Sequence, residues 1–127
     1  MAKQKVQTEI FLRLRVMHGG SIIFGPGRAD LLALIESHGS IAAAGRQMGM
    51  SYKRAWALVD SLNTIFASPL VEAAKGGAGG GGAKLTPLGM ALLSAYRRLE
   101  LECAEVSAGP LAQMQAALAV SPEPKSG

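Results

Sequence analysis

The sequence predicts a mainly α-helical fold with small β-hairpins: a winged helix-turn-helix with an N-terminal hairpin and a long C-terminal helix. Three observations point there. Residues 40–66, SIAAAGRQMGMSYKRAWALVDSLNTIF, read as a short helix, a tight turn and a longer helix; two strand-like runs flank a glycine-rich tip; and a long apolar stripe of helical period follows Pro87.

Taken in order, residues 1–9 are polar and expected to be a flexible N-terminus. Residues 10–17 alternate, with Ile10, Leu12, Leu14 and Val16 on one side and Arg13 and Arg15 on the other, as a half-buried strand does. The run His18-Gly19-Gly20-Ser21 supplies a turn and residues 22–24 a returning strand, which makes a hairpin. Arg13 and Arg15 are either solvated or in contact with phosphate, and the same alternatives hold for Arg28 further on.

Gly25-Pro26-Gly27 precedes a helix expected over 28–38, with Leu31, Leu32, Leu34 and Ile35 buried and Gly39 ending it. Ser40 caps the next helix, whose inner side carries Ile41, Ala44 and Met48. Gly45 and Gly49 stand where a crossing helix or a left-handed turn excludes a side chain. Ser51 caps the third helix. At about 100° per residue its Ala55, Leu58, Val59, Leu62, Ile65 and Phe66 gather on one side, and Lys53, Ala57, Asp60 and Thr64 gather opposite. One face packs and the other is free to be read by a partner. Tyr52 and Trp56 lie on the flank, where core packing is the expected role over base or backbone contact.

Residues 70–74 and 83–86 form two strands around the tip Lys75-Gly76-Gly77-Ala78-Gly79-Gly80-Gly81-Gly82. With Lys75 and Lys84 flanking it, the tip reads as a wing able to lie along a sugar-phosphate backbone, because glycine carries no side chain to hold it off. Gly77, Gly79 and Gly82 match G-x-G-x-x-G, but the dinucleotide fingerprint needs a helix to open directly from it, and here a strand follows. The Walker pattern fails as well, since Ala83 separates Gly82 from Lys84. A flexible linker is the remaining alternative.

Thr86 caps a last helix with Pro87 in its first turn, and Leu88, Leu92, Ala95, Tyr96, Leu99 and Cys103 recur on one side. So long an apolar stripe is expected to meet a second copy of the chain, with Gly109-Pro110 interrupting the helix and 111–120 sharing the interface. Residues 121–127 read as a disordered tail, and 10–120 as one DNA-binding and dimerisation domain.

The 127 residues carry a formal net charge of +4, which suits a polyanionic partner. Position says more than the total: between 46 and 84, Arg46, Lys53, Arg54, Lys75 and Lys84 stand against Asp60 and Glu72. The one cysteine, Cys103, cannot form an intrachain disulfide, and His18 and His38 have no ligand spacing around them, so neither metal nor cofactor is expected. No nucleophile or base stands in a catalytic pattern, so no enzymatic activity is expected. Neither a membrane span nor the apolar core of a signal peptide is present, so the expected location is the cytoplasm.

The run FGPGRADLLALIESHGSIAAAGRQMGMSYKRAWALVDSLN followed by PLVEAAKGGAGGGGAKLT resembles the N-terminal DNA-binding domain of the ModE family, bacterial molybdate-responsive transcriptional regulators. The resemblance covers roughly residues 10–99. It implies a homodimer that binds an inverted-repeat operator in double-stranded DNA through a recognition helix at 51–66 and a wing at 75–84. The DNA-contacting candidates are then Arg46, Ser51, Tyr52, Lys53, Arg54, Ala57, Thr64, Lys75, Gly77, Gly79, Gly80 and Lys84, and the dimer contacts Leu12, Leu14, Leu92, Tyr96 and Leu99. Full-length members continue into a separate domain that binds molybdate or tungstate and carries a segment similar to SARN, which these 127 residues lack. Either a naturally short relative or an excised domain fits that departure, with a separate molybdate-sensing protein as a further partner. The competing class is a winged helix that uses the same face to bind a protein rather than DNA.

Overall fold

The computed structural model describes residues 10–75 and 82–119. Its elements run β1 (Val16–His18), β2 (Ser21–Phe24), α1 (Pro26–His38), α2 (Ile41–Gln47), α3 (Tyr52–Ile65), β3 (Val71–Ala74), β4 (Gly82–Leu85) and α4 (Pro87–Ala116). Among the described residues they fall into two units, one spanning Arg13–Leu99 and the other joining 10–12 to 100–119.

The larger unit begins with a hairpin shorter than its alternating pattern suggests. Residues 10–15 form no strand; only Val16–His18 pairs with Ser21–Phe24, antiparallel and with an irregularity between Val16 and Met17. A strand extends only as far as its partner does, and β2 ends after four residues because Pro26 starts α1. Gly19 and Gly20 both have positive φ, 59° and 83°, the condition for a two-residue hairpin loop of the primed type.

Helix α1 starts two residues earlier than the sequence suggests, with Pro26 in its first turn. It buries Ala29, Leu31, Leu32 and Ile35 completely, leaves Leu34 half-buried, and stops at Gly39 in the left-handed conformation (φ 70°). Ser40 and Ser51 cap α2 and α3 as expected, their hydroxyls accepting from Ala43 N–H at 3.0 Å and Arg54 N–H at 3.1 Å. The two glycines of α2 and its turn divide the work. A Cβ on Gly45 would stand 2.9 Å from Ala55 Cβ, so this is where α2 and α3 cross closely; Gly49 (φ 73°) makes the turn between them.

Ala55, Val59 and Leu62 of α3 join the helix core. Ile65, expected beside them, is 40% exposed because it lies in the last turn, beyond the helices that cover Leu62. Strands β3 and β4 pair antiparallel with Val71 opposite Leu85 and Glu72 opposite Lys84. Both strands are tied to the helices: Ala83 N–H donates to Gly39 O (2.9 Å), Leu85 N–H to Glu36 Oε1 (3.2 Å), and Asn63 of α3 bonds Leu70 and Val71.

Thr86 starts α4. Its hydroxyl donates to Pro69 O at 2.8 Å and accepts from Gly89 N–H at 2.9 Å, and a Cβ at Gly89 would fall on the Leu70 carbonyl. Along α4, Tyr96 is 3% exposed: its ring lies 5.1 Å from that of Phe24 and its hydroxyl donates to Leu14 O at 2.8 Å. Arg97 pairs with Asp30 at 2.8 Å.

In the second unit, Ile10 N–H donates to Gln115 Oε1 at 2.8 Å, while Leu101, Val106 and Met114 are exposed. Gly109-Pro110 does not interrupt α4, which continues to Ala116. Proline at 110 forfeits the bond to the carbonyl of Val106; that residue is 78% exposed, so water can take the bond and the helix carries a local cost of about 3 kcal/mol instead of ending. Among the described residues no helix is long and apolar enough to cross a membrane.

Candidate nucleic-acid interface

The two sides of α3 set up the site. With Ala55, Val59 and Leu62 buried, Lys53, Ala57, Asp60 and Thr64 are all exposed. Arg54 is exposed beside them, and Arg46 in the last turn of α2 is exposed as well. Thr64 is partly committed, its hydroxyl donating to Asp60 O at 2.7 Å. Ser51 holds the helix start through its cap, with its oxygen turned to the Arg54 amide.

At the wing, Lys75 is exposed at the end of β3 and Lys84 is exposed on β4. Lys84 stands 3.9 Å from Glu72 across the ladder, a loose pair on the solvent face. Such a pair is worth little to stability but trims the positive field the wing presents. Gly77, Gly79 and Gly80 lie outside the described residues.

Of the expected dimer residues, Leu12 and Leu99 are exposed, and Leu92 is half-buried against the core. Leu14 is half-buried against the core, and Tyr96 is nearly covered within one chain by its ring contact with Phe24 and its hydroxyl bond to the Leu14 carbonyl, which leaves the tyrosine little surface for a second copy. Arg28 is half-buried, with its Nε enclosed and without a hydrogen-bond partner. Arg13 and Arg15 are exposed.

Tyr52 and Trp56 depart from expectation. They are not core residues: Tyr52 is 59% and Trp56 45% exposed, and they meet edge to face with ring centroids 6.2 Å apart. The residues that fill the core from α3 are Ala55, Val59 and Leu62, and Trp56 is rotated about 100° past Ala55, off the buried stripe. It lines a groove of about 490 Å³ with Tyr52, Val59 and Asn63 on one side, Ser40 to Ala42 at one end, and Val71 to Ala73 with Gly82 and Ala83 opposite. No group of His, Cys, Asp and Glu suited to hold a metal occurs among the described residues.

A helix-turn-helix whose third helix is followed by a β-hairpin rooted on the same core is a winged helix-turn-helix. No family model matches the chain. The transcriptional regulator ModE of Yersinia pestis is 41% identical over 91 residues, which is 72% of this chain and 34% of that protein. The DNA-binding transcriptional dual regulator ModE of Escherichia coli K12 is 40% identical over 91 residues, again 72% of this chain and 34% of the relative. The molybdenum-pterin-binding protein MopA of Rhodobacter capsulatus is 46% identical over 87 residues, 68% of this chain and 33% of the relative. The chain thus spans about a third of the length of the curated relatives it matches. Its homologues are ModE transcriptional regulators and Mop proteins, in keeping with a ModE-family N-terminal domain.

Proposed function

We propose that the chain is a sequence-specific DNA-binding transcriptional regulator of ModE type that acts in the cytoplasm and grips an inverted-repeat operator as a homodimer. Helix α3 enters the major groove and the β3–β4 wing follows the neighbouring backbone. The observation that carries the reading is the free face of α3, where Lys53, Arg54, Ala57 and Thr64 are exposed while the opposite face is locked in the core. A recognition helix needs that division, since base edges are read by side chains that the fold does not use.

The roles divide by chemistry. Lys53, Arg54, Arg46, Lys75 and Lys84 neutralise phosphate and release counterions, which gives affinity; Ala57 and Thr64 stand where base edges or methyl groups would pass, which gives discrimination, with Tyr52 at their flank. Ser51 positions the helix start and can donate its hydroxyl to a phosphate. Gly77, Gly79 and Gly80 allow the wing a close approach to the backbone. Leu12, Leu92 and Leu99 join two copies, and a two-fold axis in the protein calls for a two-fold axis in the operator.

Selection from a randomised duplex library tests this directly. The expected product is an inverted repeat with half-sites about one helical turn apart, bound more weakly as salt rises. No enrichment, together with salt-insensitive capture of a protein on the same face, would favour the protein-docking module instead.

A further inference from the structure

The groove between α3 and the wing has a use that the phosphate and base contacts above leave open. Its α3 wall is the stripe Tyr52, Trp56, Val59 and Asn63, spaced four, three and four residues apart, one position back from the free face at Lys53, Ala57, Asp60 and Thr64. The groove and the reading face are therefore adjacent sides of one helix. Its far wall is the root of the wing, Val71 to Ala73 with Ala83.

In a duplex the strand that separates the major groove from the minor groove is a sugar-phosphate chain. If α3 lies in the major groove and the wing on the next stretch of backbone, that strand has to pass between them. We propose that the groove seats this strand, with the Trp56 and Tyr52 rings laid against the carbon faces of successive deoxyribose units. The inference rests on the DNA-binding reading and deepens it.

Three features of the groove fit this occupant. Its volume, about 490 Å³, lies within the range of about 300–1,000 Å³ that takes ligand-sized groups. Its lining is mostly apolar, with Ser40 and Asn63 as its uncharged polar side chains, and its one carboxylate, Glu72, lies 3.9 Å from Lys84. Exposed cations stand next to both walls in sequence: Lys53 follows Tyr52 on the neighbouring side of α3, and Lys75 follows Ala74 at the end of β3. A protein segment seeking the same aromatic pair would gain nothing from those cations unless it were acidic, whereas a phosphodiester chain offers a charged edge and an apolar face together. Deoxyribose is present at every step, so Trp56 adds affinity irrespective of sequence.

Trp56 is the sole tryptophan of the chain, and its emission reports on this position alone. Binding of an end-labelled duplex, recovered by the selection described above, is followed by anisotropy of the label, while acrylamide quenching of Trp56 is measured on the free protein and on the complex. The expected result is that the duplex at least halves the quenching of Trp56. Trp56→Ala weakens binding of selected and unselected duplexes alike, by about tenfold, with an unchanged slope of log K against log salt; Trp56→Phe retains most of the affinity. An unchanged salt slope separates this role from that of the lysines, and Trp56→Phe with wild-type quenching decides the matter if the alanine variant fails to fold. A bound duplex that leaves Trp56 as open to acrylamide as in the free protein overturns the proposal and leaves DNA binding standing. An anisotropy that does not rise at all overturns both.

Discussion

Asn63 and Val71 pair through both of their polar edges. Asn63 Nδ2 donates to the Val71 carbonyl at 3.1 Å while its Oδ1 accepts the Val71 N–H at 3.0 Å, so one side chain on α3 imitates a neighbouring strand for the first residue of β3. The same Oδ1 also takes the Leu70 N–H at 2.8 Å. The wing is thereby pinned to the helix it works beside.

Replacing Asn63 by Ala strands two amides and a carbonyl that are only partly open to water, and should cost about 2–3 kcal/mol. A lower urea midpoint with an unchanged m value would show it. Asn63→Asp keeps both accepting bonds and loses the donated one, so its midpoint should fall between those of alanine and wild type.

Gly45→Ala puts a methyl 2.9 Å from the Ala55 methyl at the crossing of α2 and α3. The gain in helix propensity, up to about 1 kcal/mol, is expected to lose to overpacking, which costs about 1–3 kcal/mol. In a double-mutant cycle with Ala55→Gly the two changes should be non-additive, the second relieving part of the first, and additive energies would refute the contact.

The double variant Lys53→Ala, Arg54→Ala should unfold at the wild-type denaturant midpoint, because both side chains are exposed. Its duplex binding should weaken, and the slope of log K against log salt should become shallower by about two. A mobility-shift titration with unchanged affinity would remove these residues from the interface.

Association is expected through the exposed Leu99 and Leu12 and the half-buried Leu92. Light scattering at micromolar concentration should return twice the chain mass, and Leu99→Arg should shift it toward the single chain. Tyr96→Phe should leave the mass unchanged and lower stability by about 1 kcal/mol, since its hydroxyl serves Leu14 of its own chain.

What the sequence discloses follows the range of each signal. The stop at Gly39, the caps at Ser40 and Ser51 and the two roles of Gly45 and Gly49 are legible because each depends on a few adjacent residues. The length of β1 is not, since it is set by where a different strand runs out. Pro110 misleads for a related reason: whether a proline ends a helix depends on what surrounds the carbonyl it orphans. Trp56 is the instructive case at the site. Its apolar character suggests burial, but the core positions of α3 go to Ala55, Val59 and Leu62, and the indole, one position on from Ala55, is left outside.

The facing of Glu72 and Lys84 on the wing bears on how such a domain could diversify. A neutral side chain at position 72 would strengthen attraction to every polyanion at once, whereas an acid there holds indiscriminate adhesion down and lets preference depend on the helix. On the proposed DNA-binding reading, one exposed carboxylate would thus act as a dial between lingering on any chromosome segment and dwelling only where the match is good.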